Sequence, residues 1–415
     1  MSVSSTLPLQ GIATIPRAPV SATVARLIFE RAVAGLPLRV SYPEGRVIGG
    51  GSPESPEWVM VRPSAFFARI GRDRKIGLGD SYVAGDWRAG SGTDLAELLT
   101  VFAERLTTLV PPWLQRLRSL VDRPIPTDQD NSIAGARDNI AAHYDLSNEM
   151  FATFLDPTMT YSSAWFDGES SVDTATDLES AQLRKIDAML DLAGVGAGTR
   201  LLEIGTGWGA LAVRAAQRGA HVTSITLSHE QAQLARERVE AAGLADVVEV
   251  RVQDYREVRG SFDAIVSVEM IEAVGEAYWP DYFRTLDRLL APGGAVSIQA
   301  ITMAHERLLA TRRSFGWIQK YIFPGGLIPS LRAIDDNLTA HTSLRVVHGR
   351  ELREHYARTL RLWRERFIQA SPALRAQGFD ESFSRMWEFY LAYSEAGFRS
   401  GYLGVSQLQL VRAAA

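Results

Sequence analysis

The chain has no cysteine, which excludes disulfides, thiolate metal sites and a thiol nucleophile. No apolar run is long enough to cross a bilayer, and no basic start followed by a sustained apolar segment opens the N-terminus. The expectation is a cytoplasmic protein whose contact with the inner face of a membrane is peripheral. Excess charge of either sign is missing as well, and a net charge of −4 gives no footprint for nucleic acid. What is present is the composition of a globular protein, with 46% hydrophobic and 22% charged residues. At 415 residues the chain is long for a single core, so two domains are expected.

Helical periodicity over 22–35 and 94–109, with strand-like alternation over 37–49 and 57–62, predicts a small N-terminal α/β domain within 1–125. Its last part, 111–124, has an amphipathic helical pattern suited to docking inside the protein or on a membrane surface. A polar linker over 126–136 follows. From Arg200 onward short apolar strands (RLLEI, HVTSIT, VVEVRV, FDAIVSV, AVSIQAI) alternate with helices, which predicts an α/β, Rossmann-like parallel sheet in a catalytic domain over 137–415. Ligands of such sheets lie beyond the carboxyl ends of the strands.

The stretch LLEIGTGWG (201–209) stands where the first of these strands turns into a helix. Gly205, Gly207 and Gly209 allow close approach of a ligand, and Glu203 sets a carboxylate at the strand end. The G-x-G-x-G spacing lacks the third glycine position of the dinucleotide fingerprint, and a carboxylate suits a cationic amino group such as that of S-adenosylmethionine. After the second strand, Thr226, Leu227, Ser228 and Gln231 read either as helix initiation or as ribose contacts. Asp254 and Tyr255 follow the third strand, where a carboxylate can accept from an adenine amino group or simply be a solvated loop residue. Glu272 follows the fourth strand at the ligand edge, as a perturbed carboxylate or as the cap of a turn. Beyond residue 300 lies a dense aromatic series and the apolar loop YIFPGGLIP (321–329), read as helical core and as the wall of a long apolar pocket.

In this order HYDLSNEMF (143–151), LDPTMTYSSAWF (155–166), LLEIGTGWG, ITLSHEQ (225–231), QDYRE (253–257), FDAIVSVEMIEAVG (262–275), KYIFPGGLIPS (320–330) and HYARTLRLWRERF (355–367) resemble the cyclopropane fatty acid synthase family. These are class I S-adenosylmethionine-dependent methyltransferases. The resemblance covers about 137–412, and the N-terminal domain looks like the smaller domain of the phospholipid-acting members. It implies methyl transfer to a cis double bond of a membrane phospholipid acyl chain, through a carbocation that must be kept from water. It also implies a bicarbonate ion as the base, held by a Cys, a Glu, a His, an Ile and a Tyr.

Carried over by position, Glu272, Ile301 and Tyr356 match that set, while Ser163 stands for the Cys and Gln299 for the His. The resemblance assigns cofactor contacts to Tyr161, Ser162, Gly205, Gly207, Thr226, Leu227, Gln231, Asp254 and Tyr255. Gln299 can donate a hydrogen bond and Ser163 can present its backbone, yet glutamine does not titrate near neutrality. The Ser163/Gln299 pair therefore suggests a branch-forming member, similar to the actinobacterial enzymes that convert an oleoyl chain to a 10-methylene chain for a separate reductase. Cyclopropane formation from the same substrate is the alternative product. A lipid-binding scaffold without chemistry and a small-molecule methyltransferase are the rival readings, and self-association into a homo-oligomer is left open.

Overall fold

The computed structural model describes residues 11–109, 126, 129–133, 135–136, 147–167 and 175–413. The amphipathic pattern at 111–124 and part of the linker lie outside the described residues. The chain forms two compact units, one of 1–125, 314–322 and 363–402, the other of 126–313, 323–362 and 403–415.

In the first unit, β1 (Arg39–Ser41), β2 (Val47–Ile48), β3 (Glu57–Met60) and β4 (Trp87–Ala89) make a sheet of order β2-β1-β3-β4. Its core is aromatic: Trp58 and Trp87 are fully buried and stacked with ring centroids 3.6 Å apart, and Phe66 meets Trp58 edge-on. Segments 314–322 and 363–402, expected within the catalytic stretch 137–415, fold into this unit instead. The reason is burial. The helix Glu381–Arg399 carries Met386, Trp387, Phe389 and Phe398 on a face that water cannot hold, and it packs on the helix Leu95–Leu109. Arg364 fixes the arrangement through 2.7 Å and 2.9 Å contacts with Asp94 and Glu395. Much of the aromatic series is thus core of the first unit, in keeping with the helical-core reading.

The second unit holds a seven-stranded sheet of order β10-β11-β9-β8-β5-β6-β7. β5 (Arg200–Ile204), β6 (His221–Thr226), β7 (Val248–Val252), β8 (Phe262–Val268) and β9 (Leu290–Met303) fall on the five apolar runs of the sequence and pair in parallel. Their side chains are apolar on both faces because helices cover both, among them Ala175–Leu192, Ala210–Gln217, His229–Ala241 and Trp279–Leu289. The strand order reverses between β5 and β8, which places a ligand cleft at their carboxyl ends.

β10 (Leu344–Glu351) and β11 (Leu403–Arg412) extend the sheet beyond the expected strands. β11 runs antiparallel between β9 and β10 and sets Gln407 opposite Gln299. Among the described residues no helix is long and apolar enough to cross a membrane.

The stacked tryptophans carry a stability prediction. Trp58→Ala removes a fully buried indole and should lower the unfolding free energy by roughly 3–5 kcal/mol, the usual cost of truncating a core aromatic. Urea denaturation followed by tryptophan fluorescence measures it, and a loss below about 1 kcal/mol would contradict the packing described.

Candidate active site

The segment 155–166 is clamped beside the glycine turn. Ser162 gives its carbonyl to the Gln182 amide at 2.9 Å, Ala164 N–H donates to Thr359 Oγ1 at 3.1 Å, and Trp165 N–H donates to the Ala181 carbonyl at 3.1 Å. Arg238 donates to the carbonyls of both Thr158, at 2.8 Å, and Trp208, at 3.3 Å, so loop and turn share one anchor. Phe151 packs between them, 5.3 Å from the Tyr161 ring and 5.0 Å from the Trp208 ring. The Ser162 hydroxyl accepts from the buried ammonium of Lys185, whose desolvation lowers it to about 8.

At the carboxyl edge of the sheet the turn after β5 has Gly205, Gly207 and Gly209 at φ 98°, 52° and 89°, a region glycine enters without strain. A Cβ on Gly207 would meet nothing within 4 Å, so the backbone there borders open space. The neighbouring turns are tied to it: Gly205 N–H donates to the Ile225 carbonyl at 2.9 Å, and Gln253 N–H to the Thr226 carbonyl at 3.0 Å. This aligns Thr226, Leu227, Gln231, Asp254 and Tyr255 along one edge.

Helix initiation accounts for Ser228, whose hydroxyl accepts from Gln231 N–H at 3.2 Å, while the Thr226 hydroxyl donates to Gln231 Oε1 at 2.9 Å. Asp254 is no solvated loop residue. It is buried, caps the turn Tyr255–Glu257 and takes two contacts of 2.8 Å from Arg256. The buried Tyr255 hydroxyl has no partner among the described residues, and burial raises its pKa. Glu203 is buried on β5 with the Ser224 hydroxyl as donor, and desolvation lifts its carboxyl to about 8. An arriving cation would favour its charged form. Open backbone at Gly207, an unpartnered phenol and a desolvated carboxyl together fit a polar, cationic ligand such as S-adenosylmethionine.

The five positions matched to the anion set divide between two carboxylates. Tyr356 donates to Glu269 Oε2 at 2.7 Å, and Gln299 Nε2 to Glu269 Oε1 at 2.7 Å. Ser163 N–H donates to Glu269 Oε1 at 2.9 Å. Ser163 thus acts through its backbone, its own hydroxyl turning to the Ala164 carbonyl at 3.0 Å. Gln407 Nε2 donates to Gln299 Oε1 at 3.0 Å, which leaves the Gln299 amide nitrogen for Glu269. Ile301 N–H donates to Glu272 Oε1, whereas Glu272 Oε2 is buried without a partner among the described residues.

Glu269 is the residue that sequence reasoning missed. It directly follows β8, donates its N–H to the Gln299 carbonyl at 2.7 Å, and sits at φ 50°. Among the described residues only Met159 and Glu269 combine a side chain with positive φ. That backbone costs a non-glycine residue about 1–2 kcal/mol, so the fold holds Glu269 there against strain. A carboxylate at the ligand edge of an apolar strand was the available signal, the same one that singled out Glu272. Burial raises both carboxyls. Glu272 is pushed to about 8, by desolvation first and by the neighbouring Glu269 second. The donors on Glu269 favour its charged form and oppose desolvation there, whereas burial and the charge of Glu269 both favour a proton on Glu272.

Among the described residues no cluster could hold a metal ion. The strand order, the glycine turn and the edge that fits a sulfonium cofactor define a class I S-adenosylmethionine-dependent methyltransferase. Residues 132–408 match the Mycolic acid cyclopropane synthetase family, and the chain belongs to that family. It is 54% identical over 406 residues, 97% of this chain and 94% of the relative, to the tuberculostearic acid methyltransferase UfaA1 of Mycobacterium tuberculosis. It is 33% identical to the cyclopropane-fatty-acyl-phospholipid synthase of Escherichia coli, over 86% of this chain and 87% of that one. The solved structure of mycolic acid cyclopropane synthase CmaA1 complexed with SAH and CTAB matches 66% of this chain and 97% of its own, with a TM-score of 0.60 and 31% identity.

The raised Glu272 carboxyl has a signature in stability. Because the fold favours its neutral form, the folded protein keeps a proton there that the unfolded chain has lost, and stability falls as pH rises from 4.5 towards about 8. Glu272→Gln keeps a neutral group and should lose less unfolding free energy across that window. Urea titrations at stepped pH measure the difference, and parallel profiles for both proteins would contradict it.

Proposed function

We propose that this methyltransferase adds a carbon to the cis double bond of an oleoyl-type acyl chain in a membrane phospholipid, giving a 10-methylene chain. The observation that carries the reading is the likeness to a tuberculostearic acid methyltransferase over 97% of the chain, which takes in both units. S-adenosylmethionine supplies an electrophilic methyl carbon. Tyr161, Ser162, Gly205, Gly207, Thr226, Leu227, Gln231, Asp254 and Tyr255 hold it, with Glu203 behind the turn as a carboxyl that a nearby cation would ionise.

The acceptor's π electrons form the new carbon–carbon bond and leave a cation on the acyl chain, so the chain's task is to exclude water. The loop 323–330 serves that end. Leu327 N–H donates to the Glu272 backbone carbonyl at 2.8 Å, and Leu327, Ile271 and Val274 are buried in one apolar cluster. A hydride shift from the methyl-bearing carbon to the neighbouring cationic carbon moves the cation to the more substituted position, and loss of a proton from the added methyl then yields the methylene branch. Direct closure on that methyl, with loss of one of its protons, yields a cyclopropane. In this reading the enzyme works at the inner face of the membrane by peripheral contact, and a separate reductase saturates its product.

Mass spectrometry of lipids from an oleate-rich host expressing the protein tests the proposal. A 10-methylene acyl chain on phospholipid is expected, and a cyclopropane ring as the main product would overturn it.

A further inference from the structure

Building on the methyl-transfer reading, we propose that the carboxylate of Glu269 is the general base of the reaction and takes the place of the bicarbonate ion that the family resemblance implies. A bicarbonate site needs free donors converging on an empty space. Here the Ser163 N–H, the Gln299 amide and the Tyr356 hydroxyl already converge, at 2.9, 2.7 and 2.7 Å, on the two oxygens of one side chain. A carboxylate offers the same planar O–C–O group as bicarbonate, so the donors are satisfied without an external ion. The chain's own residues therefore do not fit a bound bicarbonate.

Several features favour Glu269 over Glu272 for this role. Glu269 is held by side chains from the helix Arg353–Gln369 and from β9 as well as by a backbone N–H, which fixes its direction. Among the described residues Glu272 has an oxygen without a partner, and burial with the charge of Glu269 pushes its carboxyl up to about 8. The strained φ of 50° is also accounted for, since it is the backbone geometry that carries this side chain into the donors. Desolvation raises the Glu269 carboxyl above its ordinary range, which strengthens it as a base.

The step balances. A C–H bond of the added methyl breaks, its electron pair becomes the π bond of the methylene group and quenches the cation, and the proton forms an O–H bond on Glu269. Ser163, Gln299 and Tyr356 are positioning residues for that oxygen pair.

The test uses the full chain with oleoyl phospholipid vesicles and labelled S-adenosylmethionine, in buffer stripped of carbon dioxide and in buffer with added bicarbonate. Wild-type turnover should be the same in both. Glu269→Gly should lose about 10²-fold or more of turnover, the range supplied by a general base, and regain part of it with bicarbonate. In parallel, the carbon-13 resonance of labelled bicarbonate should broaden with Glu269→Gly and stay sharp with wild type. Wild-type turnover that requires bicarbonate, or broadening by the wild type, would overturn the proposal, and both readouts stand even if the variant does not fold. A wild type that forms no S-adenosylhomocysteine with this lipid would instead refute the proposed function, while the resonance experiment still decides the anion site.

Discussion

A carboxylate withdrawn from water must be met by donors or give up its charge, and the Glu269 carboxylate is met by three: the Ser163 N–H, the Gln299 amide and the Tyr356 hydroxyl. Each donor comes from a different element, so the site exists only when those elements are all in place. The loop 155–166 must be anchored on Arg238, β9 must lie beside β8, and the helix Arg353–Gln369 must bring Tyr356 to the carboxylate. Chemistry that depends on one fixed oxygen pair is thereby coupled to the whole second unit.

The consequences run outward from that contact. Gln299 keeps its orientation because β11 presents Gln407 to it, which gives the antiparallel strand a part in the site beyond closing the sheet. Glu272, close enough to feel the charge of Glu269, is left to hold a proton. Desolvation raises the pKa of both carboxyls.

The five parallel strands were legible because each is a short apolar run bounded by turns, and the glycine turn because its spacing restricts what can bind there. β11 was not legible. Its sequence LGVSQLQLVR mixes Ser406 and Gln407 into the apolar pattern, and only pairing with β9, about a hundred residues earlier in the chain, explains why they are buried. The return of 363–402 to the N-terminal unit was hidden for the same reason, since periodicity shows that a helix has an apolar face but not what covers it. At the site, Ser163 was expected to present its backbone and Gln299 to donate to a bicarbonate ion, whereas both donate to the Glu269 carboxylate. Glu269 was passed over in favour of Glu272, which carries the same strand-edge signal in the same short segment, and its meaning appears only when three distant donors are seen to reach it. The serine and glutamine that stand where the resemblance implies a thiol and an imidazole thus both donate to Glu269.

The most direct measurement of this account is a crystal structure of the protein with S-adenosylhomocysteine, grown in bicarbonate-containing buffer. The account predicts continuous side-chain density for Glu269 within hydrogen-bond distance of Ser163 N, Gln299 Nε2 and Tyr356 OH, with no separate anion between them. A discrete planar ion on those donors, with Glu269 turned away, would contradict it.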